Sequence, residues 1–243
     1  MKKFLIVALI ILLIPAYSTS ECIYHENPVK YYENSANKYS ITILAIHGGR
    51  ESRERAKRYC EEISGIFTDS KVYSLDFDLK GEREDFGKSA IVSAVKLARY
   101  IKDSNKKFVI IGTSFGGFLA WKTATIVQPD KLIMVSGFTR IDKMYETAKK
   151  HPEKYGEWLE LVKGIENNDL MKLLKELSAN SSDIKSEVLI LHGLKDDTVP
   201  FEMVLEDIKS VGGKWYILLN SDGHPVDLEN PTIRTILKDF VDR

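Results

Sequence analysis

The sequence predicts an α/β fold: a doubly wound, mostly parallel sheet with helices on both faces and a small helical cap. Three observations carry that expectation. Short apolar runs recur at residues 41–46, 71–77, 107–112, 131–136, 187–191 and 214–219, and segments of helical periodicity separate most of them. Strands alternating with helices imply βαβ units and parallel pairing. The strongest runs are apolar without interruption, as expected of strands covered on both faces. Finally, the chain has 243 residues, of which 44% are apolar, enough for one large domain with a sizeable core.

The first 20 residues stand apart from this pattern. Lys2 and Lys3 precede an apolar run over residues 4–14, and Pro15 to Ser20 are mostly small. A basic start, a short apolar stretch and small residues describe a secretory signal peptide. A membrane span needs about 20 apolar residues, so anchoring by residues 4–16, with membrane contact, is expected only if the segment stays uncleaved. Glu21 stands where a lipoprotein signal wants a small residue, so Cys22 is not read as lipid-bearing. The expected organisation is therefore a leader at 1–20 and a single exported domain at 21–243. Removing Lys2 and Lys3 leaves 33 basic against 35 acidic residues, from 35 of each in the whole chain. That balance gives no sign of a nucleic-acid partner.

From residue 21 the elements follow in order. Residues 29–32 and 39–40 have weak strand character and suggest an edge hairpin. The strand 41–46 runs into His47-Gly48-Gly49-Arg50. Residues 53–63 form an amphipathic helix, with Ala56, Tyr59, Cys60 and Ile63 on one face. The charge run from Arg50 to Arg58 reads as its solvated side. Cys22 and Cys60 are the two cysteines, and an exported protein can pair them. The helical register nonetheless favours Cys60 as a buried thiol on the inner face. After the strand 71–77 comes an acidic loop holding Asp76, Asp78, Glu82, Glu84 and Asp85. It fails a calcium-loop pattern because Lys80 takes a ligand position. No His/Cys cluster offers a metal site, and no cofactor is expected. A helix over 89–101 then precedes the strand 107–112.

That strand ends in Gly112-Thr113-Ser114-Phe115-Gly116, a G-x-S-x-G pentapeptide, followed by an apolar helix over 115–127. Strand, tight turn and helix is the context in which this motif exposes a nucleophilic serine. Both glycines are expected where a Cβ would collide with a neighbouring strand or helix. After the strand 131–136, the alternation stops over about 140–182, where three helical faces succeed one another. Residues 187–191 resume the sheet, and helices follow at 201–210 and 231–240 around the strand 214–219.

A serine nucleophile needs a base, and the base an orienting acid. Two strand ends supply them: His192-Gly193-Leu194-Lys195-Asp196-Asp197-Thr198-Val199-Pro200, and Ser221-Asp222-Gly223-His224-Pro225. Open α/β sheets bind ligands at carboxyl ends of strands. His224 is the only histidine late enough to follow the acid. His47 and His192 read as structural, and His25 and His151 as solvated.

These motifs, in this order, resemble the α/β-hydrolase superfamily over nearly the whole chain beyond the leader. Gly112–Gly116 looks like its nucleophile elbow, His192-Gly193-x-x-Asp196-x-x-Val199-Pro200 its acid loop, and Gly223-His224 its histidine loop. His47-Gly48-Gly49 is similar to its oxyanion loop. The resemblance implies catalysis by Ser114, Asp196 and His224. The spacing to Val199-Pro200 favours Asp196 over Asp197. The oxyanion would meet the backbone N–H of Phe115 and that of Gly48 or Gly49. It also implies that 140–182 is a cap, with Phe138, Met144, Tyr145 and Trp158 as candidate pocket residues. Phe77 and Asp78 are weaker candidates for substrate contact. The expected activity is hydrolysis of a small-molecule carboxylic ester or thioester. A peptidase of the same fold is the first alternative, since Ser114-Phe115-Gly116-Gly117 resembles oligopeptidase elbows. Against it, these residues hold no propeller and no evident acidic pair for a peptide amino terminus. A non-catalytic binding protein on the same scaffold is the second alternative.

Overall fold

The computed structural model describes residues 21–49, 53–77, 87–161 and 167–243. The leader, Arg50 and the acidic-loop positions Asp78 to Asp85 lie outside the described residues. Among the described residues, eight strands form one sheet: β1 Cys22–His25, β2 Tyr31–Asn34, β3 Ile41–Ile46, β4 Ser70–Leu75, β5 Lys107–Thr113, β6 Lys131–Val135, β7 Glu187–Gly193 and β8 Trp215–Asn220. Their spatial order is β1-β2-β4-β3-β5-β6-β7-β8. From β4 to β8 every pairing is parallel, while β1–β2 and β2–β4 are antiparallel. The expected doubly wound sheet is thus present, with an antiparallel hairpin on one edge.

Alternate residues of the central strands feed two separate cores. Leu44, Ile46, Ile110, Leu132, Met134 and Ile190 face one side; Ile43, Ala45, Val109, Ile111, Ile133 and Leu189 face the other. The first side is covered by α2 (Lys88–Ile101), α3 (Phe115–Val127) and the helices between β6 and β7. The second is covered by α1 (Arg53–Ile66) and α8 (Pro231–Asp242). α7 (Glu202–Ile208) lies between β7 and β8, on the first side.

The edge hairpin differs from the expectation. Its strands are Cys22–His25 and Tyr31–Asn34, and Tyr39–Ser40 lies outside any strand apart from the β3 bounds. Asn34 explains where β2 docks. Its amide Nδ2 donates to the Ser70 carbonyl at 3.0 Å, and its Oδ1 accepts from the Val72 N–H at 3.1 Å. A side chain thereby substitutes for ladder hydrogen bonds between β2 and β4, which strand periodicity does not reveal.

Cys60 is buried on the inner face of α1 as expected, but it is not a thiol. It forms a disulfide with Cys22 across 38 residues. The helical register of Cys60 was legible; the hairpin that carries Cys22 over α1 was not.

The segment 140–182 contains α4 (Ile141–Lys150), α5 (Pro152–Leu161, kinked at Tyr155) and α6 (Asn167–Leu177). Ile141, Met144 and Ala148 bury one face of α4, and Leu170, Leu174 and Leu177 one face of α6. In α5, Trp158 packs on the core. Trp121 Nε1 of α3 donates to Ser181 Oγ at 3.3 Å, and Lys122 Nζ donates to the Ser178 carbonyl at 2.9 Å. These bonds tie the end of the insertion to the helix that follows Ser114.

Candidate active site

The site begins with a backbone constraint. β5 pairs with β3 so that Gly112 lies opposite Ile46, which sets the Ser114 turn beside the loop at His47. Ser114 has φ 55° and ψ −121°, a region that side-chain-bearing residues rarely occupy. Its N–H donates to the Val135 carbonyl at 2.8 Å, and its carbonyl accepts from Gly117 at 2.9 Å. The turn is possible because its flanking glycines lack a Cβ. One added at Gly112 would strike the Gly116 carbonyl, and one at Gly116 would strike the carbonyl oxygens of Ile46 and His47. Strand, turn and helix therefore hold the Ser114 hydroxyl at the carboxyl end of the sheet.

Two loops converge on it from β7 and β8. The Gly193 Cα lies where any Cβ would hit the carbonyls of Asp222 and Gly223, so the loops close tightly on each other. Leu194 N–H donates to Asn220, and Lys195 N–H to Asp222, at 2.8 and 3.0 Å. Ser136, at the end of β6, accepts the Val226 N–H on its Oγ at 3.1 Å and pins the histidine loop across the sheet. Ser136 was not singled out from sequence. Its signal is a serine at a strand end with φ 46°, a conformation that sequence does not print.

The result is a continuous hydrogen-bonded chain. His224 Nε2 lies 2.9 Å from Ser114 Oγ, and His224 Nδ1 lies 2.9 Å from Asp196 Oδ2. A carboxylate only accepts, so Nδ1 carries the proton and Nε2 is free to accept from the serine hydroxyl. Asp196 Oδ1 accepts the N–H groups of Thr198 and Val199 at 3.0 and 2.8 Å. Burial pushes the Asp196 carboxyl up, but the His224 hydrogen bond and these backbone donors outweigh it and hold it below its ordinary range. Asp197 is exposed and points elsewhere, bonding Thr198 Oγ1. Of the two adjacent aspartates, Asp196 is the one brought to the histidine.

His192 and His47 are structural in this arrangement. His192 Nε2 donates to the Val199 carbonyl at 2.9 Å and lies 3.3 Å from Asp196, bracing the acid loop. Burial lowers its pKa. His47 Nδ1 donates to the Gly48 carbonyl at 3.1 Å, and its ring stacks on Phe77 at 4.4 Å. Burial, with the nearby Arg55 charge, drives its pKa down to about 4 despite the Gly48 bond, so it is neutral at neutral pH. Phe77 is thus buried under His47 rather than in the cavity wall. His151 is exposed, whereas His25 is half-buried and stacks on Tyr31 at 5.0 Å, less solvated than expected.

A cavity of about 600 Å³ opens beside Ser114, reaching Gly48, Gly49, Phe115, Trp158 and His224. A Cβ on Gly48 would stand 2.8 Å from the Ser114 Cβ, so this glycine abuts the serine. Phe115, the first residue of α3, is in the wall, and Trp158 stacks toward it at 6.5 Å. Phe138 and Met144 are fully buried behind that wall, with Phe138 edge-on to Trp158 at 5.1 Å. Tyr145 packs against the same core without reaching the cavity. Of the four pocket candidates, Trp158 is the one that lines it.

The opposite wall was not anticipated. α1 contributes Arg55, Arg58, Tyr59 and Glu62; the two arginines are solvent-exposed, as expected of its charged side, and also border the cavity. Tyr59 is buried, and its hydroxyl hydrogen-bonds Thr113 Oγ1 at 2.8 Å, directly before the serine. Among the described residues no group of His, Cys, Asp and Glu is arranged to hold a metal ion.

A sequence model of the prolyl oligopeptidase family matches residues 78–212, more than half of the chain. The chain belongs to the prolyl oligopeptidase family. Its sheet is that of the α/β-hydrolase superfamily. The Pyrococcus furiosus esterase Pf2001 superposes with a TM-score of 0.65 at 18% identity, covering 92% of this chain and 93% of that one. An α/β-hydrolase superfamily protein from Enterococcus faecalis gives 0.66 at 12% identity, over 92% and 97%. In sequence, the chain is 27% identical to the Danio rerio lysophosphatidylserine lipase ABHD12 over 241 residues. That match covers 87% of this chain but 61% of the relative's length. The chain thus has the α/β-hydrolase fold. No helix among the described residues is long and apolar enough to cross a membrane.

Proposed function

We propose that the protein is a serine hydrolase that cleaves carboxylic esters through an acyl-enzyme on Ser114. The observation that carries this reading is the chain Asp196–His224–Ser114, with two 2.9 Å contacts, ending at a cavity. Ser114 Oγ attacks the ester carbonyl as His224 Nε2 takes its proton. Asp196, fixed by two backbone donors, holds the Nδ1–H tautomer and stabilises the imidazolium that forms. The tetrahedral oxyanion is held by the Phe115 N–H and one from Gly48 or Gly49, each donor contributing roughly 3 kcal/mol. Collapse of the intermediate expels the alcohol with the proton from His224. Water, activated by the same imidazole, then releases the acid and restores Ser114. The segment 140–182 acts as the cap, and Trp158 is its contact with the acyl or alcohol portion.

The ester reading draws on the fold neighbours named as esterases and on the relative named as a lipase. Peptide hydrolysis is the second reading, favoured by the family to which the chain belongs. We also place the mature protein outside the reducing cytosol, because its one disulfide needs an oxidising compartment to persist.

The test is hydrolysis of p-nitrophenyl esters of graded chain length by the chain lacking residues 1–20, beside Ser114→Ala. Turnover with a chain-length optimum is expected, with a loss of roughly 10⁴-fold or more in kcat for Ser114→Ala. Phosphonate labelling of Ser114 without ester turnover, joined to cleavage of peptide amides, would establish the peptidase reading instead. Phosphonate labelling undiminished in Ser114→Ala would remove Ser114 from its role.

A further inference from the structure

The cavity beside Ser114 has two unlike walls. Phe115 and Trp158 give one of them apolar ring surface. Arg55, Arg58, Tyr59 and Glu62 form the other, and their spacing of i, i+3, i+4 and i+7 makes them a single stripe of α1. We propose that this stripe is a subsite for an anionic substituent of the substrate, with Arg55 and Arg58 taking the oxygens of a phosphate or carboxylate. The inference rests on the ester-hydrolase reading and names the class of ester.

The position of Arg55 is built into the oxyanion loop. Gly49 has φ +81°, and a Cβ there would fall on the Arg55 guanidinium, with Cζ at 3.0 Å. The neighbouring Gly48 abuts Ser114. Contacts therefore run from guanidinium to loop to nucleophile without a gap, and the Arg55 charge contributes to the low pKa of His47. A planar guanidinium offers paired N–H donors that match the oxygens of phosphate or carboxylate.

Neither arginine has an ion-pair partner among the described residues. Lys57, on the outer side of the same helix, pairs with Glu61 at 3.8 Å. Glu62 shares the stripe, but burial, with Glu229 and Asp227 and against Arg234, raises its pKa to about 7. At neutral pH it cancels only part of the arginine charge. Placing Arg53 and Arg55 in the first turn of α1 also opposes the helix dipole. Glu54 offsets part of that charge and Arg53 lies over the Tyr24 ring, so Arg55 is the first-turn cation that reaches the cavity.

Two sources would present the same anion, and matched substrates separate them. One pair is a 1-acylglycerol 3-phosphate against the neutral 1-acylglycerol. The other is a half-ester of a dicarboxylic acid against the methyl ester of a monocarboxylic acid of equal length. At least one anionic member is expected to exceed its neutral partner about tenfold or more in kcat/KM, as a charge-assisted hydrogen bond implies. The ratio should collapse in the Arg55→Gln/Arg58→Gln variant, survive in large part in Arg55→Lys/Arg58→Lys, and fall as salt is raised. Equal turnover within both pairs, or a ratio unchanged by the glutamine variant, overturns the proposal.

Calorimetry on Ser114→Ala, with glycerol 3-phosphate and succinate as probes, decides the question without turnover. Binding of either probe that is lost when the two arginines are also replaced by glutamine supports the subsite. No binding of either overturns it, even if p-nitrophenyl esters are cleaved. If no ester is cleaved but a probe binds through the arginines, the ester reading fails and the anion subsite stands.

Discussion

Single residues define this site by what they lack as much as by what they carry. Gly116 holds α3 against β3 so closely that a methyl group would meet two backbone carbonyls, which cannot swing aside as a side chain can. Gly116→Ala is expected to cost about 3 kcal/mol or more, seen as a lower midpoint in urea unfolding, with Ser114 reactivity lost in the folded fraction. Glu62 makes an opposite prediction. Burial, Glu229 and Asp227 raise its pKa from 4.5 to about 7, Arg234 opposing, so the fold favours its neutral form. The stability associated with that neutral carboxyl is complete below pH 4.5 and is lost as pH rises through 7. Glu62→Gln should therefore be more stable than the parent at pH 8.5, by up to about 3 kcal/mol, and unfold at a higher temperature. The difference should vanish near pH 4, as thermal melts across that range will show.

At the scale of elements, α1 bears more than its packing face suggests. Its inner stripe buries Ala56, Cys60 and Ile63, its covalent tie reaches β1, and Tyr59 bonds the residue before Ser114. In the chain-entropy account, closing 38 residues between cysteines stabilises by about 4 kcal/mol. Cys22→Ala/Cys60→Ala should lower the midpoint of thermal unfolding by several degrees, measured by circular dichroism. Another element, α8, is held at its carboxyl end by two lysines from strand starts. Lys107 Nζ donates to the Val241 carbonyl at 2.6 Å, and Lys131 Nζ to that of Phe240. Cations at that end satisfy orphan carbonyls and suit the helix dipole.

Over the whole molecule, the sheet's centre and its margins are unlike. β3, β5, β6 and β7 are buried almost throughout, while β8 exposes Trp215, Tyr216 and Leu219. Hydrogen exchange should be slowest in β3, β5 and β6 and markedly faster in β8, and uniform protection across the sheet would contradict this layout. The same division explains what could be read from sequence. Continuous apolar runs announce strands buried on both faces, so β3, β5 and β6 were legible to within a residue or two. That Ser114 and Asp196 stand at strand ends could be read because each follows such a run; His224 follows the more exposed β8 and was singled out by its order in the chain. The hairpin, the disulfide and the α1 wall were not legible. They depend on Asn34 docking β2, on Cys22 lying over α1, and on a solvent-exposed, charged helix side that also borders a cavity.

The bond between Cys22 and Cys60 also sets how the molecule bears load. Two antiparallel edge strands pulled from one end come apart like a zipper, one pair of residues at a time. Here the first residue of β1 is bonded covalently to the middle of a helix that packs on the sheet's second core. A tug on whatever precedes residue 21 is therefore carried past the hairpin into α1, and the edge cannot peel while that bond is intact.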